Sequence, residues 1–174
     1  GDVREIVFFG RQEQRKGLGL FCDAIDILHS KGNIVDIRVT FLGKFDVIDG
    51  IPSGVYLAER ARQWDCSTRI IRTYSQPDAL HYLSQPGILA VIPSLAENSP
   101  CVVAECIEMG IPFLAADSGV TRELIDPSNR DACLFAPDPT ALVNAIGTVF
   151  AEGQLPVGPA VAREQTLAAW RDVF

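Results

Sequence analysis

Residues 88–115 read ILAVIPSLAENSPCVVAECIEMGIPFLA, and this stretch decides the fold. An unbroken apolar run over residues 88–92 leads through a polar loop into a segment where Val102, Cys106 and Met109 recur at helical spacing. Gly110 closes that helix, and a second apolar run follows over residues 112–115. A strand, a helix and a strand joined this closely form a βαβ unit, whose two strands run parallel in one sheet.

The same alternation extends to both sides. Apolar runs at residues 6–9, 37–42, 69–73 and 132–135 bring the total to about six predicted strands. Each run is continuous rather than alternating, as expected of a parallel sheet covered on both faces. Leu18, Phe21, Ile25 and Leu28 form a helical stripe between the first two strands. Leu57, Ala61 and Trp64 form another behind the Pro52-Ser53-Gly54 turn, and Leu80 with Leu83 marks a short third helix. Two more helices are expected near residues 140–152 and 159–174. The predicted fold class is α/β: a doubly wound, Rossmann-like parallel sheet filling residues 1–174 as one domain. Ligands of such sheets bind beyond the carboxyl ends of the strands, so the residues just after strands are the informative ones.

Composition narrows the function classes. With 48% hydrophobic and 21% charged residues, the chain of 174 residues is globular rather than disordered. A formal charge of −7 disfavours nucleic acid and anionic membrane as partners, which need clustered Lys and Arg. Cys22, Cys66, Cys101, Cys106 and Cys133 form no CxxC pair, and an odd count of five reads as reduced thiols in a cytoplasmic protein. Only two histidines, His29 and His81, accompany them, so a zinc site is not expected. No apolar run approaches the roughly 20 residues of a membrane span. The chain enters its first strand almost at once, which reads as a boundary inside a longer protein.

Several nucleotide and hydrolase motifs fail. Gly10 is followed by Arg11, Gly17-Leu18-Gly19 lacks a third glycine at Cys22, and Leu42-Gly43-Lys44 carries no acidic ribose partner, so no dinucleotide fingerprint is present. Lys16 precedes Gly17 with no hydroxyl after it, unlike a P-loop. Gly50 to Gly54 does not have the spacing of a nucleophile elbow. No Asp-x-Asp pair offers to hold a divalent cation on a diphosphate, so no metal is expected.

Three loops survive, each just after a predicted strand. In the first, from Phe9 to Gly17, Gly10 permits a close backbone approach while Arg11 and Lys16 supply two cations suited to a diphosphate. The second runs from Pro93 to Glu105. Ser99 can cap a helix whose first residue is Pro100, leaving backbone N–H groups at a phosphate-binding helix start. Glu97 and Glu105 flank that start. The six residues from Ser99 to Glu105 rise about 9 Å, comparable to the span from a ribose to a sugar across a diphosphate. One carboxylate can therefore meet ribose hydroxyls and the other a hexose. The third loop, from Ala116 to Glu123, is uninformative alone.

Taken together, these stretches resemble the C-terminal domain of retaining GT-B glycosyltransferases of group 1 (GT4), over nearly the whole chain. A "GR…KG" loop matches at Gly10-Arg11 and Lys16-Gly17, and an E-x7-E signature at Glu97 and Glu105. A "GG..E" segment matches loosely at Ser118, Gly119 and Glu123, with Ser118 in place of the usual first glycine, and Trp170 echoes a late tryptophan. The resemblance implies that Arg11 and Lys16 neutralise the donor diphosphate and that Glu105 binds the ribose. It implies that Glu97 is the catalytic residue. With backbone groups of Asn98, Ser99, Pro100, Cys101 and Val102, Glu97 would hold the transferred sugar. The base would lie near Thr73 and Tyr74. The substrate would be a UDP-sugar or GDP-sugar, transferred with retention, without metal or other cofactor.

The resemblance further implies an N-terminal domain, absent from these residues, that binds a glycan or lipid acceptor. Location would be cytoplasmic, or peripheral at the membrane through that missing half, and the chain alone would bind donor weakly and transfer little. The alternatives are a non-catalytic nucleotide-sugar-binding module, a GT-B nucleotide-sugar epimerase relative, and a flavodoxin-like interaction domain.

Overall fold

The computed structural model of the chain describes residues 2–96, 101–118 and 120–153. Its elements run β1 (Glu5–Phe9), α1 (Leu18–Ser30), β2 (Arg38–Leu42), β3 (Val47–Ile48), β4 (Ile51–Pro52) and α2 (Ser53–Ala61). They continue with β5 (Thr68–Ile71), α3 (Gln76–Leu83), β6 (Ile88–Ile92), α4 (Cys101–Met109) and β7 (Phe113–Ala116). Then come α5 (Thr121–Leu124), α6 (Arg130–Cys133), β8 (Leu134–Phe135) and α7 (Pro139–Glu152). Six strands form one sheet in the order β5-β2-β1-β6-β7-β8, with every pair parallel. The doubly wound α/β sheet expected from the alternation is the fold observed. The strands β3 and β4 make a separate antiparallel ribbon.

The continuous apolar runs follow from burial on both faces. Along β1, Ile6 and Phe8 join a core with α1 and α7, while Val7 and Phe9 join a second core with α3 and α4. Successive side chains of a strand point to opposite faces, so a central strand needs apolar residues at every position. On the α1 side Phe21 meets Phe8 and Phe41 edge-on, with ring centroids 5.5 Å apart in each pair. Arg60 of α2 is tied to α1 by donating to Asp23 at 2.8 Å and Asp26 at 2.7 Å. Among the described residues no helix is long and apolar enough to cross a membrane.

Four sequence expectations change. The run 132–135 is strand only at Leu134–Phe135. Residues 130–133 are helical, with the Cys133 thiol 3.2 Å from the Asn129 carbonyl, one turn back. Trp64 lies beyond α2, held by its indole N–H donating to Asp26 at 2.7 Å. In α4 the buried residues are Val103 and Cys106, whereas Met109 is 48% exposed, so the helix is rotated from the predicted stripe. The strand expected at 69–73 is Thr68–Ile71, and its edge position leaves Arg69 and Ile70 exposed. The helix expected at 159–174, with Trp170, lies outside the described residues.

Burial pushes the Cys22 and Cys106 thiols up to about 12, and Cys133 up to about 11, from an ordinary 9.0. Below pH 9 these thiols are protonated whether the chain is folded or not. Above it the unfolded chain releases protons that the folded chain retains, so stability should fall as pH rises from 9 through about 12. Urea midpoints measured at pH 8, 9.5 and 10.5 should decline in that order. A flat profile would contradict this account.

Candidate functional site

After β1 the chain runs outward through β2 to β5, then returns to place β6 on the other side of β1. The topological switch point therefore lies between β1 and β6, and the crevice beyond their carboxyl ends is where such sheets hold ligands. A cavity of about 420 Å³ occupies that end. The β1 loop contributes Gly10, Arg11 and Lys16 to its lining, and the β2 loop Gly43 and Lys44. The β5 loop and the start of α3 add Arg72, Tyr74, Ser75 and Gln76, while Ser94 and Val102 close it from the β6–α4 side.

These loops are stitched together by their backbones. The Gly10 N–H donates to the Leu42 carbonyl at 3.1 Å, the Gln12 N–H to Lys44 at 2.9 Å, and the Gly43 N–H to Ile71 at 2.9 Å. The Gln12 side chain, fully buried, donates its amide to the Gly43 carbonyl at 2.9 Å. Only glycine fits at the two tightest crossings. A Cβ on Gly43 (φ +155°) would stand 1.8 Å from the Gly10 carbonyl oxygen, and one on Gly17 (φ +81°) 1.9 Å from that of Pro93.

The electrostatics are one-sided. Arg11, Lys16, Lys44 and Arg72 line the cavity with no carboxylate among the described lining residues, in a chain of net charge −7. Such a concentration of fixed cations in a concave site favours an anion of more than one charge. At the mouth Arg11 meets Asp46 at 3.4 Å, an exposed pair that contributes little and leaves the guanidinium able to turn inward. The Arg72 guanidinium sits over the Phe45 ring, 4.9 Å from its centroid. Tyr74 meets Tyr82 edge-on at 5.9 Å. Ser75 caps α3, accepting from the Asp78 N–H at 3.3 Å, which fixes the next residue, Gln76. The Gln76 amide crosses to α4 and donates to Glu105 Oε2 at 2.6 Å.

Of the site residues expected from sequence, Arg11, Lys16, Tyr74 and Val102 share the wall of this one cavity. Glu105 is half-buried and tied to the wall through Gln76. Cys101 is the exposed first residue of α4. Glu97, Asn98, Ser99 and Pro100 lie outside the described residues, as does Gly119. Ser118 donates to the Ser94 carbonyl at 2.7 Å, joining the third loop to the second, while Glu123 faces solvent. Sequence reasoning missed Lys44, Arg72 and Gln76. Lys44 was findable by the rule that picked Arg11, since it falls just after a strand, whereas Arg72 was hidden inside the run expected as strand over 69–73, which ends at Ile71.

A larger cavity of about 550 Å³ lies at the opposite, amino ends of the strands, lined by Arg4, Arg38 and Arg69 among others. Its buried carboxylate, Glu5, already accepts from the hydroxyls of Thr40 and Tyr82. Parallel sheets do not place their ligands there. Among the described residues no group of His, Cys, Asp and Glu is arranged to hold a metal ion.

Known proteins share the family and the fold of this chain. A family model described as "Glycosyl transferases group 1" matches residues 3–152. No curated protein sequence matches the chain. Among solved structures, sucrose-phosphate synthase from Thermosynechococcus elongatus is similar with a TM-score of 0.63 at 20% identity, over 87% of this chain and 37% of that one. HepE of Anabaena, solved in complex with UDP and glucose, gives a TM-score of 0.64 at 20% identity, over 87% of this chain and 39% of that one. The catalytic domain of cholesterol-alpha-glucosyltransferase from Helicobacter pylori gives 0.51 at 16% identity, over 82% and 83%. At these identities the likeness is one of fold. The chain spans under two fifths of the first two structures.

Proposed function

We propose that this chain, which belongs to the group 1 glycosyl transferases, is the donor-binding half of a retaining, metal-independent enzyme that transfers a sugar from a nucleoside diphosphate. The observation that carries this reading is the cavity at the switch point, with four cations and no carboxylate in its described lining. A sugar diphosphate gains negative charge on its leaving oxygen as the glycosidic bond breaks. Cations gathered around the cavity stabilise that charge. Arg11 and Lys16, on the loop beside the switch point, take this role. Glu105, held by Gln76, receives the ribose hydroxyls. Glu97 and the backbone from Asn98 to Val102 receive the sugar, and Tyr74 borders the base.

In the transfer itself, the bond from the sugar's anomeric carbon to the diphosphate breaks and one to an acceptor hydroxyl forms on the same face. The acceptor proton passes to the departing diphosphate. The acceptor, a glycan or lipid, is bound by a further N-terminal domain. Residues 1–174 are therefore expected to bind UDP or GDP weakly and to transfer almost nothing. Calorimetry with each diphosphate, with and without EDTA, and product analysis with a labelled donor check both halves of that expectation. Absence of binding, or binding abolished by the chelator, would count against the donor reading. Robust transfer by these residues alone would count against the division of labour between two domains.

A further inference from the structure

Two cavity cations, Lys44 and Arg72, remain once a diphosphate is assigned to Arg11 and Lys16. They stand after β2 and β5, on the side of the sheet away from α4. Strands are spaced ~4.8 Å apart, which puts the end of β5 about 10 Å from the β1 loop. A nucleoside leading away from a diphosphate at the switch point therefore ends with its base beside Arg72. Leu42, Ile71 and Ala79 in the same wall give a flat base apolar contact.

Arg72 has the more specific setting of the two. Its guanidinium rests over the Phe45 ring, and Phe45 is backed by Gly54, where an added Cβ would come within 3.1 Å of the ring. A guanidinium held on a platform is a preorganised fork of donors, and it matches two acceptors on one edge. Guanine presents O6 and N7 side by side. Adenine pairs its N7 with an amino donor, and uracil separates its two carbonyl acceptors with the N3–H donor. Lys44 adds further donors on the same side of the cavity.

We infer that the donor nucleotide is a guanosine diphosphate, with Arg72 reading O6 and N7 of the base. The inference rests on the donor-site reading above. Its test is a titration of residues 1–174 with GDP, UDP, ADP and 7-deaza-GDP, which keeps O6 but lacks N7. GDP should bind about tenfold or more tighter than UDP or ADP, and 7-deaza-GDP should lose most of that margin. Arg72→Ala should weaken every diphosphate somewhat through the lost charge, but GDP far more, so that GDP falls to the UDP level. Arg72→Lys, which keeps the charge without the fork, should lose the GDP margin as the alanine variant does. Arg72 is exposed, so these variants should keep the wild-type unfolding midpoint. UDP or ADP matching GDP, or equal losses for all diphosphates in Arg72→Ala, would overturn the inference and leave the donor site standing. If none of the diphosphates binds, the donor-site reading falls and this inference with it.

Discussion

Gly43→Ala is expected to cost about 4 kcal/mol of stability and to abolish nucleotide binding. The new methyl carbon would stand 1.8 Å from the Gly10 carbonyl oxygen and 2.6 Å from its carbon, both backbone atoms that cannot swing aside. The φ of +155° adds strain for any residue with a Cβ. Relief requires the β1 and β2 loops to separate, which breaks the Gln12 clamp and the Gly10 to Leu42 hydrogen bond. A domain of this size has a net stability of roughly 5–15 kcal/mol, so the loss is a large share. Gly50 is the control: its φ is +76°, but an added Cβ would meet nothing within 4 Å. Gly50→Ala should lose about 1 kcal/mol. Urea unfolding compares the two, and equal midpoints would refute the steric argument.

Glu105→Ala is expected to weaken a nucleoside diphosphate by over tenfold, about 1.5–3 kcal/mol for a lost charge-assisted hydrogen bond. With Oε2 engaged by Gln76, Oε1 remains for a ribose hydroxyl. The loss should therefore vanish when the ligand is a 2′,3′-dideoxy diphosphate, which has no ribose hydroxyls to offer. Gln76→Leu should show the same selectivity with a smaller effect, because it releases the carboxylate without removing it. Glu97→Ala should spare the diphosphate and weaken the sugar nucleotide. If Glu105→Ala weakens ribose and dideoxy ligands equally, the ribose assignment fails.

The sheet was legible because burial on both faces writes itself into contiguous residues, as at 88–92. Shorter elements were not. Four residues at 132–135 carry too little periodicity to separate a helical turn from a strand, and the chain there is both in succession. The ribbon of β3 and β4 pairs only two residues from each strand, below the length at which alternation can be seen. The phase of α4 was misread because Met109 is apolar yet exposed, while Val103, next to the Val102 of the expected stripe, does the packing.

In the site, Arg11 and Lys16 were legible because they share one loop with two glycines. The bond from Gln76 to Glu105 joins residues 29 apart on different helices, and only the winding of the sheet brings them together. Lys44 was read for the acidic residue it replaces rather than for its own charge.

The crossings of Gly10 with Gly43 and of Gly17 with Pro93 also set how such a site can be redesigned. The frame of the cavity is main chain against main chain, so its outline cannot be recut by changing side chains at those positions. A library aimed at a new ligand for this cavity should hold those three glycines and Gln12 constant. Diversity belongs at Lys44, Arg72 and Tyr74, which hang from the frame without holding it shut. Substitutions there can exchange one ligand for another while the loops that carry them stay in register.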